Sequence, residues 1–536
     1  MIGQDERHHP IGPTGVLTTA CAKEESTGNT GSPCGADACP QPELREEQSG
    51  PQRVADGLVV VLTPGNAGRA KEPWFKVSVR SGDSQESGVS LIPPETVEKL
   101  QAALHVKAKR SPGCRFHQLY DKLYRADILW FAHRRCLVNG GSAGVDGMTF
   151  EDIESSGLKR WLDELADELR NRTYRPSPVR RVWIPKPDGG HRRESVGRRP
   201  LGIPTIKDRV VQMAAVLVLE PVFEADLQPE QYAYRPGKSA HDAIRHVHSL
   251  LNTGHTEVVD ADLSGYFDSI PHTELMKSVA RRVSDRHLLH LLRMWLDTPV
   301  EETDERGHTH RTTRNRDTGR GCPQGAPISP LLSNLYMRRF VLGWKVLGHE
   351  DRLDAHIVNY ADDFVICCRG TGNSAMAAMR QIMETLKLTV NETKTRQCCV
   401  PDGSFDFLGY TLGRCHSPKT GRAYIGTRPS KQKIQRLCRE ISEMTSSRWL
   451  LMETDGWIRK INRKLIGWSN YFSLGPVSNA YKAVDRHVCY RLRQWLCAKH
   501  KVRGRGLTRF PDRYLHQELN LERLSGRTRN FPWANT

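Results

Sequence analysis

The sequence predicts an α+β fold in which short antiparallel strands pack against amphipathic helices. Two short apolar runs flank the acidic pair Asp362-Asp363, as expected of a β-hairpin that carries acids at its tip. Upstream, a β-rich run contains Asp262 and ends at a glycine turn, and after Tyr410 the apolar residues recur at helical spacing. At 536 residues the chain is too long for one ordinary core, so two or three domains are expected.

The first 92 residues are predicted to form a disordered leader. They are polar and rich in Gly, Ser, Pro and Glu, and they lack sustained periodicity apart from the apolar run 58–62. Helical patterning begins at Pro94, after which Val97, Leu100 and Leu104 share one face. Amphipathic helices are therefore expected ahead of the first strands.

A β-hairpin is predicted next, within residues 93–257. Two β-like runs, 179–184 and one that ends at Ile203, flank a loop rich in Gly and Arg. Lys186 stands at the entry of this loop and Arg199 at its exit. Cationic side chains on a flexible hairpin suit the binding of a phosphate, although an ordinary surface charge explains each of them equally well.

The acids at 262, 362 and 363 are the strongest catalytic candidates. Adjacent carboxylates repel, so a tight apolar turn seldom keeps two of them unless a cation lies between, and hard oxygen ligands suit Mg²⁺. Three acids from two neighbouring strands, Asp262, Asp362 and Asp363, can hold two Mg²⁺ ions for a phosphoryl-transfer reaction. Taken alone, an Asp-Asp pair is more typical of an exposed turn than of a metal site.

A turn interrupted by Pro and Gly covers residues 322–327 and precedes the apolar stripe of a helix. Gln324 offers an uncharged amide at this turn, and such an amide can hydrogen-bond a sugar or a base without adding charge. Gln324 is therefore a candidate nucleotide contact, whereas core packing is enough to explain the apolar stripe.

The C-terminal part of the chain is predicted to be helical and strongly basic. Two stripes recur at helical spacing: Trp457, Ile461, Leu465 and Trp468, then Val484, Val488, Leu492 and Trp495. The last 106 residues hold 22 basic and 8 acidic side chains, within a chain of net charge +18. This distribution indicates a polyanionic partner that binds mainly toward the C-terminus.

Cysteine usage and hydropathy indicate the cellular compartment in which the protein is expected to act. The fourteen cysteines include the adjacent pairs Cys367-Cys368 and Cys398-Cys399, which cannot easily bridge to each other, so a reducing cytoplasm is expected. No segment approaches eighteen uninterrupted apolar residues, and the start shows no charged-then-apolar signal. Neither a membrane partner nor secretion is predicted.

An ordered set of short motifs surrounds the acids. They are GVDG at 144–147, IPKP at 184–187, RPLGIP at 199–204, YRPGKSA at 234–240, PQGAPISP at 323–330, YADD at 360–363, LTVNETKT at 388–395 and FLGY at 407–410. With these blocks in this order, the chain resembles the bacterial group II intron-encoded proteins, which are reverse transcriptases that also act as RNA maturases. The resemblance runs from about Leu119 to Trp533.

The resemblance implies a right-hand polymerase with fingers, an antiparallel palm sheet and a helical thumb that doubles as the maturase X domain. On this basis residues 93–257 hold the N-terminal helices, the fingers and part of the palm. Residues 258–415 form the palm, 420–500 the thumb, and 501–536 a basic C-terminal tail.

Roles for individual residues also follow from the resemblance. Lys186 and Arg199 would contact the incoming triphosphate, Gln324 would lie under the dNTP, and the Phe267 ring would lie against the sugar and exclude a 2′-hydroxyl. An ordinary core position is the alternative for Phe267. The basic residues expected to bind RNA are Arg491, Arg493, Lys499, Lys501, Arg503 and Arg505.

The function implied is RNA-directed DNA synthesis with two Mg²⁺ ions, combined with binding of the parent intron RNA to promote splicing and retrohoming. The partners would be group II intron RNA, an RNA template with its primer, target DNA and dNTPs, in the bacterial cytoplasm at the nucleoid. Two alternatives stay open from the sequence. One is a reverse transcriptase of a defence or CRISPR-associated system, and the other is a catalytically silent RNA-splicing chaperone.

Overall fold

The computed structural model describes residues 91–185, 198–304, 306–417 and 420–528, all of which belong to one compact unit. The predicted leader, apart from residues 91 and 92, lies outside the described residues, as does Lys186. No described helix is both long and apolar enough to cross a membrane.

A helical layer opens the described chain. Its members are α1 (Glu95–Arg110), α2 (Tyr120–Leu123), α3 (Ala126–Asn139), α4 (Phe150–Arg170) and α5 (Ile206–Glu224). Helix α5 is buried on nearly every face, because its sequence is apolar over most of its length, and α1 and α3 pack along it. Tyr124 and Arg125 separate α2 from α3.

The predicted hairpin is confirmed as β1 (Val179–Pro185) and β2 (Arg198–Ile203), which pair antiparallel. Strand β1 also pairs in parallel with β4 (Val300–Thr303), which pairs antiparallel with β5 (Thr309–Thr312). The resulting sheet has the order β2-β1-β4-β5.

A second four-stranded sheet, of order β6-β7-β3-β8, forms the palm. Its strands are β3 (Glu257–Ala261), β6 (Ala355–Tyr360), β7 (Asp363–Cys368) and β8 (Arg396–Cys399), and every pairing is antiparallel. Val259 and Ile366 enter one core, whereas Val258 and Val365 enter another on the opposite face. Burial on both faces explains why β7, one of the two central strands, is continuously apolar after Asp363.

Helices surround this sheet. They are α6 (Ala240–Asn252), α7 (Tyr266–Ser269), α8 (His272–Ala280), α9 (Arg286–Leu296), α10 (Arg314–Thr318), α11 (Ser329–Val346), α12 (His349–Leu353) and α13 (Gly372–Thr385). The helix predicted after the Pro-Gln-Gly turn is confirmed as α11, and its apolar stripe lies in the main core, as expected.

The C-terminal region begins with a small antiparallel sheet of β9 (Phe405–Phe407), β10 (Tyr410–His416) and β11 (Ala423–Pro429). The helices α14 (Lys431–Met444), α15 (Thr454–Tyr471), α16 (Ser478–Lys499) and α17 (Leu524–Arg527) follow. Both predicted stripes face a shared core: Trp495 is 1% exposed, and Trp468 packs on Phe472 with ring centroids 4.7 Å apart.

Residues beyond 500 do not form a separate tail over their described part. Phe510, Leu515, Leu521 and Leu524 are buried in the same core as α14, α15 and α16. Apolar side chains spaced through a basic stretch were enough to fold it back onto α16, so the predicted boundary at residue 501 does not separate two structural units.

Candidate active site

The acidic pair occupies the tip of the β6–β7 hairpin, as predicted. Tyr360 pairs with Asp363, which leaves Ala361 and Asp362 as a two-residue loop. Ala361 adopts φ 59°, in the left-handed region. The side-chain amide of the buried Asn359 donates from Nδ2 to the Ala361 carbonyl oxygen at 2.9 Å. This internal hydrogen bond holds the strained tip in place, so the two carboxylates project from a rigid turn.

Strand pairing brings Asp262 to the same place. Strand β3 pairs with β7 up to Ala261↔Phe364, and one residue further the same register sets Asp262 beside Asp363. The Asp262 Oδ2 atom accepts from Asn391 Nδ2 at 2.9 Å and from Lys394 Nζ at 3.1 Å. The structure thus brings Asp262 next to an acidic pair that lies a hundred residues further along the sequence.

The electrostatics of this group fit a cation site. Although part of Asp363 is exposed, burial of its carboxyl, together with the nearby charges of Asp362, Asp262 and Asp260, raises its pKa to about 7. The cation of Lys394 opposes these effects. Full ionisation of such a cluster needs a positive charge between the carboxylates, which a divalent metal ion supplies.

Asp260, Asn391 and Lys394 were not singled out from the sequence. Asp260 lies on β3 and pairs with Arg396 Nε at 3.3 Å, and burial raises the pKa of its carboxyl. Asn391 and Lys394 belong to the block at 388–395, whose position among the ordered motifs was the available signal. Their contact with Asp262 depends on an antiparallel bridge between Leu263 and Val390.

The Pro-Gln-Gly turn packs closely on β2. The Gly202 amide donates to the Gln324 carbonyl oxygen at 2.7 Å. A Cβ atom added at Gly325, which has φ +100°, would lie 2.4 Å from the Gly202 carbonyl oxygen. Glycine is therefore required at position 325 both by the backbone conformation and by the close approach of β2.

The side chain of Gln324 hydrogen-bonds the Asp268 carboxyl and so lowers its pKa, against a larger rise from burial. A small cleft here is lined by both residues and by Arg181 and Asn315. The sequence had indicated Gln324, but the other three polar groups became visible only in the fold. The cleft presents both signs of charge and an amide, which are groups that suit a polar ligand.

Phe267 lies on the short helix α7, after Asp262 in the sequence and directly before Asp268 of this cleft. Its ring is partly buried against the main core and lies 5.7 Å from the Tyr266 ring, centroid to centroid. The Phe267 carbonyl oxygen accepts from the Cys322 amide at 2.7 Å, which ties α7 to the Pro-Gln-Gly turn. The contact of Phe267 with the nucleotide sugar stays a prediction from the sequence.

The two predicted phosphate-binding cations are Lys186 and Arg199, of which only Arg199 has a described backbone. Lys186 lies outside the described residues. The backbone of Arg199 lies on β2 and pairs with Ile184. Both remain predictions from the sequence.

The six predicted RNA-binding residues fall into two groups. Arg493 is 8% exposed, and its guanidinium binds the Phe510 carbonyl oxygen and the Asp512 carboxylate. Arg491 donates to groups on α14, and Lys499 donates to the Leu450 and Met452 carbonyl oxygens at 2.9 and 2.7 Å.

The second group comprises Lys501, Arg503 and Arg505, which are exposed. Within the described part of the chain, their side chains have no hydrogen-bond or ion-pair partner. These three cations are available to a polyanion, whereas the first three serve the folding of the C-terminal region.

Comparisons with known proteins agree with this geometry. The family model "Reverse transcriptase (RNA-dependent DNA polymerase)" matches residues 184–412, which include all three acids. The model "Group II intron, maturase-specific domain" matches residues 434–514, which cover α14 to α16. The fold and the site therefore define a reverse transcriptase, an RNA-directed DNA polymerase of a class that depends on divalent metal ions.

Relatives make the family more specific. Protein YkfC of Escherichia coli (strain K12) is 34% identical over 374 residues, which cover 63% of this chain and 93% of that protein. Group II intron-encoded protein LtrA of Lactococcus lactis subsp. cremoris is 30% identical over 234 residues, covering 43% of this chain and 36% of LtrA. The chain belongs to the group II intron-encoded reverse transcriptases with a maturase domain, a family that binds intron RNA.

Proposed function

We propose that Asp262, Asp362 and Asp363 hold two Mg²⁺ ions and extend a DNA or RNA primer on an RNA template with dNTPs. The observation that carries this proposal is the β3–β7 register, which sets Asp262 beside the acidic hairpin tip. When bound, the ions would activate the attacking hydroxyl and stabilise the leaving pyrophosphate. Lys394 would orient the Asp262 carboxylate, to which it is hydrogen-bonded.

The incoming dNTP would lie between the acids and the β1–β2 hairpin. The Cys322 amide, in the same turn as Gln324, donates to the Phe267 carbonyl oxygen and so holds the two residues near each other. Gln324 and Phe267 would therefore contact the sugar or base together. Lys186 and Arg199 would bind the triphosphate, because the hairpin that carries them is connected to the Gln324 turn through Gly202.

RNA would bind along the C-terminal region as well as in the polymerase cleft. The exposed cations Lys501, Arg503 and Arg505 are the side chains best placed for phosphates, since Arg491, Arg493 and Lys499 are occupied within the protein. Binding of the parent intron RNA here would stabilise its splicing-competent fold, and reverse splicing into target DNA followed by cDNA synthesis would complete retrohoming at the bacterial nucleoid.

Primer extension tests the polymerase assignment directly. Purified protein with Mg²⁺ and dNTPs should extend a DNA primer annealed to an RNA template, and EDTA should abolish the product because the carboxylates then lack their cations. Intron RNA binding measured in the same preparation is the control for folded protein. Tight RNA binding without any extension would favour the splicing chaperone over the polymerase.

The role of Phe267 gives a separate prediction. If its ring excludes a 2′-hydroxyl, Phe267→Ala should raise the rNTP/dNTP ratio of kcat/KM by about tenfold or more, because a steric clash is removed. Phe340→Leu is the matched control, since Phe340 is fully buried in the same core. It should lower the melting temperature and leave the ratio unchanged. An unaltered ratio in folded Phe267→Ala protein would make Phe267 a packing residue.

A further inference from the structure

A second group of titratable side chains lies at the end of the palm sheet opposite the acidic hairpin tip. His255 precedes β3, and Asp354 and His356 stand at the start of β6. One ligand atom from each lies within 4.8 Å of the others. Strand β7 runs between β3 and β6, and its last residue, Cys368, pairs with both neighbours. The three side chains therefore meet across the end of β7.

The Asp354 carboxylate is the centre of this cluster. Its Oδ1 atom lies 3.0 Å from His255 Nε2 and 3.6 Å from His356 Nε2. The two imidazole rings meet edge to face, with centroids 4.8 Å apart. Ligands about 2.1 Å from a tetrahedral zinc ion lie roughly 3.4 Å from one another, so the two observed separations bracket the spacing that zinc requires.

The hydrogen bonds of His255 favour a metal at its Nε2 atom. The residue is 6% exposed, and its Nδ1 atom lies 3.3 Å from the Leu250 carbonyl oxygen. A proton on Nδ1 satisfies that carbonyl and leaves the Nε2 lone pair facing Asp354 Oδ1. A metal ion or a proton between these two atoms removes their repulsion, and a backbone carbonyl behind the ring is the usual outer partner of a metal-bound histidine.

Two further groups complete the surroundings. Glu350 Oε1 lies 3.3 Å from His356 Nδ1, so it orients this ring with Nε2 toward Asp354. Arg369 Nε approaches Asp354 Oδ2 at 3.5 Å, which leaves the Oδ1 atom to the histidines. The Arg369 side chain is 56% exposed, and its Nη2 atom donates to the Thr253 carbonyl oxygen at 2.6 Å.

We propose that His255, Asp354 and His356 form a binding site for a divalent transition metal ion of the zinc type, with water completing the coordination. Imidazole and carboxylate ligands together suit such an ion better than they suit Mg²⁺. His255 and Asp354 are 99 residues apart in sequence, and the strands that they precede carry Asp262 and Asp362 at their other ends. The bound ion clamps the base of both catalytic strands.

Cobalt and zinc binding test this site. Metal-stripped full-length protein is titrated with Co²⁺ in excess Mg²⁺, which occupies the hairpin tip, and the visible d–d absorption is recorded. Cysteine ligands would add a near-ultraviolet thiolate band, which separates their contribution. The melting temperature is then measured with and without Zn²⁺. The variants are His356→Gln and Asp354→Asn, and the matched control is His290→Gln, an exposed residue of α9.

Wild-type and His290→Gln protein should bind one Co²⁺ without a thiolate band and should melt higher with Zn²⁺. Both cluster variants should bind Co²⁺ at least about tenfold more weakly and lose the Zn²⁺ shift. Circular dichroism in EDTA verifies that the variants are folded, and Asp354→Asn serves if His356→Gln is not. Equal Co²⁺ spectra and Zn²⁺ shifts in wild type and variants, or no binding by wild type, would reduce the cluster to an ion-pair network.

Discussion

Replacement of both hairpin-tip acids, Asp362→Asn with Asp363→Asn, should lower Mg²⁺-dependent cDNA synthesis by about 10³-fold or more. Losing the metal ligands removes several kcal/mol of transition-state stabilisation, and about 1.4 kcal/mol corresponds to a factor of ten in rate. RNA affinity should stay within a few-fold, because the exposed cations at 501–505 lie outside this site. Single-turnover primer extension and RNA binding by fluorescence anisotropy measure the two effects.

Stability separates loss of catalysis from misfolding. The Asp363 carboxyl, whose pKa is raised to about 7, is crowded by acids in the metal-free protein, so neutral amides should leave the melting temperature unchanged or raise it. Asp351→Asn with Asp402→Asn removes the same charge from exposed positions away from the tip and should retain extension. Near-wild-type extension by the tip variant would refute the site assignment.

Deletion of residues 499–536 should unfold the C-terminal helical region rather than merely weaken RNA binding. It removes four buried side chains, Phe510, Leu515, Leu521 and Leu524. Truncating a large buried side chain costs about 2 to 5 kcal/mol, so losing all four exceeds the stability of most domains. Limited proteolysis and thermal melting should show loss of the structure around α14 to α16. A truncated protein with wild-type protease resistance would contradict this packing.

The basic charge is therefore better tested in folded protein. Replacing Lys501, Arg503 and Arg505 with Gln leaves the buried core intact, because all three side chains are exposed. Each lost phosphate contact should reduce the slope of log K against log salt by about 0.7 to 0.9. The same substitution at Arg493 is the contrasting control: its guanidinium is buried, so Arg493→Gln should lower stability first. An unchanged slope in the triple variant would exclude the three cations as phosphate contacts.

The local elements, including the hairpin with acids at its tip, could be predicted from the sequence alone. The apolar runs around Asp362-Asp363, the hairpin of β1 and β2, and the stripes of α15 and α16 depend on residue spacing within a few turns or strands. The ordered motifs led to the reverse transcriptase class, which the family comparisons confirm. Short-range periodicity is sufficient for these features because backbone hydrogen bonding and one-sided burial act between near neighbours.

Tertiary structure alone decided which distant groups meet. The β3–β7 register brought Asp262 to Asp363, the Gly202–Gln324 hydrogen bond placed the nucleotide candidates, and sheet order gathered His255 with Asp354 and His356. Burial of Arg493 and of the segment around Phe510 likewise depends on how α16 packs. The first three of these contacts join residues about a hundred or more positions apart. Strand pairing and core packing settle such contacts, and no local sequence pattern predicts them.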